Sequence, residues 1–242
     1  MDLGLKDKVA IVLASSKGLG RAAAQSLAAE GARVAMCARG EAKLRESADA
    51  LGAFWRAFDV RDEAAMKKFV ADVQSKWGAV HILVNNCGGP PAGGAMDVDQ
   101  KAWLEAIDAN FLCAVRWSRE VAPIMIRQKW GRIINIVSIS VKQPIPNLAL
   151  SNASRAGLVG FAKTLARELA PHNVLVNNVL PGTHLTDRVR ELGPERFGKD
   201  IPMGRPGQPE EFGPVVAFLA SERASYICGT SLLVDGGAYA GY

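Results

Sequence analysis

Residues 9–39 read VAIVLASSKGLGRAAAQSLAAEGARVAMCAR, and this stretch decides the fold. Residues 9–14 are an unbroken apolar run, as expected of a strand buried on both faces. A turn follows, Ser15-Ser16-Lys17-Gly18-Leu19-Gly20. The next residues, RAAAQSLAAEGA, carry Ala and Leu at helical spacing, and Gly31 stands as the stop. Residues 34–38 form a second apolar strand. Strand, glycine turn, helix and strand within about 30 residues make a βαβ unit of the dinucleotide-binding kind. The free N–H groups and positive dipole end of such a helix face whatever lies over the turn, and a phosphate suits that place. The glycine pattern is incomplete: Gly18 and Gly20 are present, and Ala14 stands where the earliest of three would fall.

The 242 residues are 49% hydrophobic and 22% charged, which predicts one ordinary α/β domain over 1–242 with a full core. The net charge is +5, but the basic residues are scattered and Lys67-Lys68 is their longest run. That is a surface tolerant of anionic ligands, not a nucleic-acid footprint. Cys37, Cys87, Cys113 and Cys228 are far apart and never in a CxxC pair. Their spacing argues against metal ligation and a disulfide framework, and toward a reducing compartment. The three histidines are too scattered for a metal site. With no apolar run long enough to span a membrane and no signal-peptide pattern at the start, the expected location is cytoplasmic.

Further strands are expected at 53–60, 80–84, 132–137, 174–180 and 231–234. Helices are expected at 41–51, 63–77, 99–128 (interrupted or kinked near Pro123), 150–170 and 209–221. The alternation predicts a parallel sheet covered on both faces. Residues 185–207 are the largest irregular piece and read as a mobile lid. The five tryptophans read as core or helix-packing residues, and His81 and His172 as structural or surface ones.

Seven short features then fall in one order. They are the turn at 14–20, Asp59, Asn85-Asn86-Cys87-Gly88, Asn110, Ser138, Pro181-Gly182 and Val234-Asp235-Gly236-Gly237. In this order and spacing the chain resembles the short-chain dehydrogenase/reductase family, particularly its 3-oxoacyl-acyl-carrier-protein-reductase-like members. The resemblance implies a single Rossmann-type doubly wound domain, a seven-stranded parallel sheet, a nicotinamide cofactor and a homotetramer (or homodimer). It implies that Ser16, Gly18, Leu19 and Gly20 cradle the pyrophosphate and that Asp59 and Val60 contact adenine. Asn85 and Gly88 would lie beside the adenosine ribose, and Pro181, Gly182 and Thr186 would hold the nicotinamide end. No acid follows the second strand, where Cys37-Ala38-Arg39 stand, so nothing there repels a 2′-phosphate. Lys17 and Arg39 can reach one phosphate, which favours NADP(H).

The resemblance breaks at the family's Tyr–Lys pair, spaced YxxxK one helical turn apart. Ser138 lies 13 residues before Ser151, the family spacing, so Ser151 falls at the Tyr position and Arg155 at the Lys position. Asn110 and Ser138 match. A Ser hydroxyl is a far weaker acid than a phenol, and Arg cannot release a proton. Arg155 can still donate to ribose hydroxyls. Ordinary ketone reduction should fall by about 10²-fold or more. Three functions follow. One is an NADPH-dependent reductase whose proton comes from Ser138, from Ser151 through a water, or from His184. His184 titrates near neutrality, and its alternative is an exposed lid residue. Another is hydride addition to a substrate needing no strong acid, such as an iminium or activated alkene. The last is a non-catalytic nucleotide binder serving as sensor or assembly subunit. The expected substrate surface, from 89–95, 139–150 and 185–207, is fairly apolar.

Overall fold

The computed structural model describes residues 2–191, 193 and 200–241. Part of the expected lid, 192 and 194–199, therefore lies outside the described residues. The chain begins with β1 (Val9–Leu13), α1 (Gly18–Ala29), β2 (Arg33–Ala38), α2 (Glu41–Asp49), β3 (Phe54–Ala57) and α3 (Glu63–Trp77). It continues with β4 (Ile82–Asn85), α4 (Gln100–Ile107), a π-helical turn (Asp108–Leu112), α5 (Cys113–Gln128), β5 (Gly131–Ile136) and α6 (Ala149–Leu169). It closes with β6 (Val174–Pro181), α7 (Asp187–Glu191), α8 (Pro209–Ala220) and β7 (Ser231–Val234).

The seven strands form one sheet in the order β3-β2-β1-β4-β5-β6-β7, parallel throughout. Each strand sends alternate side chains to opposite faces. In β1, Val9, Ile11 and Leu13 join the core under α3, α5 and α6. Ala10 and Val12 join the core under α1, α2 and α8. Both faces are apolar, which is why the strands read as continuous hydrophobic runs. The order reverses between β1 and β4, and in such sheets ligands bind at that switch point, outside the carboxyl ends of the strands.

The expected long helix over 99–128 is instead two helices joined by a π turn. The irregularity falls at Asp108–Leu112, and Pro123 sits inside α5. Its cause is visible: Asn110 Nδ2 donates to the Ala106 carbonyl at 3.2 Å, competing for the acceptor of the regular helical ladder. Trp117 meets its expectation as a core residue, fully buried, with Nε1 donating to the Val60 carbonyl at 2.9 Å. The strand expected at 53–60 is shorter, Phe54–Ala57, which leaves Asp59 and Val60 in the loop above the sheet.

Candidate active site

The turn after β1 is built for close approach. Ala14 has φ 45°, Gly18 has φ 59°, and Ala14 thus holds a left-handed conformation that glycine adopts without strain. A Cβ on Gly20 would stand 2.5 Å from Asn86 Nδ2 and 2.8 Å from the Ala14 carbonyl, so only glycine fits. Asn86 clasps the turn, donating to the Leu13 and Ala14 carbonyls at 3.2 Å each. Ser47 of α2 donates to the Ser16 carbonyl at 2.9 Å. No side chain caps the start of α1 at Lys17, which leaves its first turn able to receive an anion. Thr186 overlies the same turn, its methyl 3.5 Å from where a Gly18 Cβ would be. The turn is thus shaped for a pyrophosphate, and it brings Ser16, Gly18, Leu19 and Gly20 under Thr186.

Ser15 N–H donates to the Cys37 carbonyl at 3.2 Å, so the turns after β1 and β2 run side by side. Lys17 and Arg39 each lie two residues beyond that pair, and both are exposed. Asp59 is bound by Arg61, whose Nη2 and Nε approach it at 2.7 and 3.1 Å. Arg61 and, further off, Arg39 lower the Asp59 carboxyl to about 2. The Val60 carbonyl is already engaged by Trp117 and Cys113, and its side chain packs against the core under α3 and α5.

The Asn85 side chain lies inside the sheet rather than above it, donating to Asn135 Oδ1 at 2.8 Å and Ser118 Oγ at 3.1 Å. Asn135 donates on to Asn178 at 2.9 Å, and Asn178 to Ser231 at 3.2 Å. These residues are register partners across β4, β5, β6 and β7, so a polar ladder crosses the sheet below the crevice. A Cβ on Gly88 would meet only open space, consistent with room above it. Behind Pro181, a Gly182 Cβ would stand 2.8 Å from Asp235 Cα, so glycine is required where β6 meets the tail.

His184 is corrected, against both expectations. It is neither exposed nor free: its ring is buried edge-on to Phe212, and its Nδ1 lies 3.2 Å from the Gly182 carbonyl. Burial lowers its pKa. A neutral imidazole packed on α8 is a poor proton donor, and its backbone bridge to Gly207 stitches together the base of the 185–207 stretch.

Ser151 and Arg155, which the spacing sets at the family's Tyr and Lys positions, meet each other. Arg155, 7% exposed, donates through Nε to Ser151 Oγ at 3.2 Å. Its Nη1 donates to the Ile136 and Val137 carbonyls at 3.2 and 3.0 Å. Arg155 thereby ties α6 to the end of β5, one residue before Ser138. Ser138 Oγ accepts from Ser140 N–H at 3.1 Å, and Ser151 Oγ accepts from Arg155, so both hydroxyl protons remain to be donated. Asn110, 1% exposed, turns its amide oxygen to Cys87, whose thiol donates at 3.1 Å. The loops expected to form the substrate wall are joined: Gly93 N–H donates to the Asn147 carbonyl at 2.7 Å and Ala149 N–H to the Gly93 carbonyl at 3.2 Å. Leu150 is buried rather than lining that wall. Asn86, Cys87 and Arg61 are the contributors that sequence reasoning passed over, although the Asn-Asn-Cys-Gly turn pointed to the first two.

A parallel doubly wound sheet with a phosphate turn at its switch point defines a dinucleotide-binding protein of the Rossmann type. A sequence family described as enoyl-(acyl carrier protein) reductase matches residues 13–239. The chain is 37% identical over 242 residues to the 3-oxoacyl-[acyl-carrier-protein] reductase FabG of Salmonella typhimurium, covering 98% of this chain and 99% of that protein. It is 36% identical over 248 residues to the FabG of Aquifex aeolicus, covering 99% and 100%. Among solved structures, L-sorbose reductase from Gluconobacter frateurii, complexed with NADPH and L-sorbose, superposes with TM-score 0.94 at 32% identity over 100% of both chains. YwfH, an NADPH-dependent reductase involved in bacilysin biosynthesis, does so with TM-score 0.94 at 26% identity over 98% and 100%. The chain belongs to the short-chain dehydrogenase/reductase family of oxidoreductases and is 3-oxoacyl-acyl-carrier-protein-reductase-like.

Proposed function

We propose that this protein is an NADPH-dependent reductase acting on a small, fairly apolar carbonyl, imine or activated alkene. The observation that carries the reading is the Arg155–Ser151 hydrogen bond, anchored on the carbonyls that lead to Ser138. NADPH, when bound, supplies the hydride. Ser16, Gly18, Leu19, Gly20 and Thr186 hold the pyrophosphate, and Lys17 and Arg39 hold the 2′-phosphate as point charge and fork. Asp59 and Val60 bound the adenine side, Gly88 leaves room for the ribose, and Pro181 and Gly182 shape the nicotinamide end. Arg155 donates toward ribose hydroxyls and steadies Ser151. The Ser138 and Ser151 hydroxyls donate hydrogen bonds to the substrate atom that gains negative charge. Because neither hydroxyl is acidic enough to give up its proton outright, that atom is finally protonated by solvent, or needs no proton where the substrate is an iminium. The NADPH-bound and NADPH-dependent neighbours support the cofactor assignment.

A paired titration with NADPH and NADH, followed by turnover against ketones, imines and enones, tests the proposal. Micromolar NADPH binding with weaker NADH, and turnover that disappears in Ser138→Ala, is the expected result. NADPH binding without turnover on any class would instead mark a nucleotide-binding subunit. We assign copies of this chain to a homotetramer or homodimer, on the strength of exposed Leu104, Leu112 and Leu232 on α4, the π turn and the edge strand β7. Light scattering on the purified protein checks this, and a monomer would refute it.

A further inference from the structure

Cys87 occupies the third place of the Asn85-Asn86-Cys87-Gly88 turn that follows β4. Its thiol donates to Asn110 Oδ1 at 3.1 Å. The Asn110 amide is held at its other end, where Nδ2 donates to the Ala106 carbonyl at 3.2 Å. An amide held at both ends has one orientation, and the thiol selects it. Arg155 stands close by, its Nη1 donating to the Ile136 and Val137 carbonyls at the end of β5. Burial raises the thiol's pKa more than Arg155 lowers it, so Cys87 keeps its proton at neutral pH. Cys87 and Asn110 also line a cavity of about 10 Å³ with Asn85 and Ile136, directly below the crevice. That volume admits about one water.

We propose that Cys87 is a positioning residue of the reductase site, fixing Asn110 beside the Arg155–Ser151 pair that the spacing places where the family has its Lys and Tyr. This rests on reading Asn110 and Arg155 as parts of the site. The thiol meets the amide at 3.1 Å and the guanidinium meets the hydroxyl at 3.2 Å, and Ile136, whose carbonyl accepts from Arg155, lines the cavity with Cys87 and Asn110. Among the described residues Cys87 is the one donor to Asn110 Oδ1, and alanine at 87 removes it. Serine restores a donor of similar reach.

The experiment is a fluorescence titration of NADPH on the wild-type protein, Cys87→Ala, Cys87→Ser, Arg155→Lys and the Cys87→Ala/Arg155→Lys double variant. Cys87→Ala should weaken binding about tenfold, the scale of a hydrogen bond to a charged group. Cys87→Ser should recover most of that loss. The double variant should bind little worse than the weaker single variant, because both changes disturb one seat. Should Cys87→Ala fail to fold, Cys87→Val fills the space without donating and carries the same expectation. Wild-type affinity in Cys87→Ala or Cys87→Val, or losses that simply add with Arg155→Lys, overturns the proposal alone. No NADPH binding by the wild-type protein overturns it together with the reductase reading.

Discussion

Arg155 Nε donates to Ser151 Oγ at 3.2 Å, one helical turn earlier on α6. The two residues that the spacing sets at the family's Lys and Tyr positions therefore form a direct pair, and the same guanidinium reaches the carbonyls of Ile136 and Val137. Removing only one partner leaves the other buried and short of a bond, which is costlier than replacing both.

Ser151→Tyr alone should thus fail to restore ketone reduction, because Arg155 keeps its seat and cannot hold a phenol as the family's Lys does. Ser151→Tyr with Arg155→Lys should raise NADPH-dependent ketone reduction by about 10²-fold or more over the wild-type protein. The loss of NADPH absorbance with a ketone panel measures it. A double variant that binds NADPH and stays inactive would show that the acid was not the only missing part.

The turns after β1 and β2 lie side by side through the Ser15–Cys37 hydrogen bond, with Lys17 and Arg39 each two residues further on. Lys17→Ala with Arg39→Asp should weaken NADPH by about 10- to 100-fold, the worth of charge-assisted contacts, while NADH is unchanged or improved. Calorimetric titration of both cofactors decides it, and an equal loss for both would refute the 2′-phosphate site.

Ala14 sits at φ 45°, a conformation costly for an L side chain. Ala14→Gly should stabilise the fold by about 1 kcal/mol. Gly20→Ala should do the reverse and abolish NADPH binding, since its Cβ would meet Asn86 Nδ2 at 2.5 Å and the Ala14 carbonyl at 2.8 Å. Urea unfolding curves on the two variants, with unchanged slopes, give the comparison.

Asp59 is lowered to about 2 chiefly by its hydrogen bonds to Arg61. A carboxyl whose folded pKa lies below its unfolded value of about 4 contributes stability above that value and loses it as pH falls toward 2. The pair is about a third exposed, so solvent screens it and the contribution is small. Arg61→Gln should move the Asp59 titration up toward the ordinary range and flatten the acid limb of stability between about pH 4 and 2. Carboxyl NMR titration reads the shift directly, and an unmoved Asp59 would show that Arg61 is not its cause.

Much of this molecule follows from local pattern. The apolar runs, the helical spacing of Met66, Phe69, Val70 and Val73, and the glycine turn are properties of neighbouring residues, and they specify a parallel, doubly covered sheet. The interval from Ser138 to Ser151 and the substitutions at 151 and 155 are likewise linear facts. The partners of the polar side chains were decided only by tertiary structure. Asn85 meets Asn135, 50 residues away, because β4 and β5 pair in that register, and this turns it from the crevice into the sheet. His184 is buried because α8 brings Phe212 beneath it. The π turn at Asn110 arises where a side chain takes an acceptor that the helix ladder would use, which periodicity does not reveal. Cys87 reads in sequence as one apolar residue among glycines and asparagines. It becomes the donor that fixes Asn110 only when the end of β4 and the π turn come together. Hydrophobic burial is set by composition and period along the chain, whereas a hydrogen bond needs two particular atoms within about 3 Å, and only the folded chain supplies them.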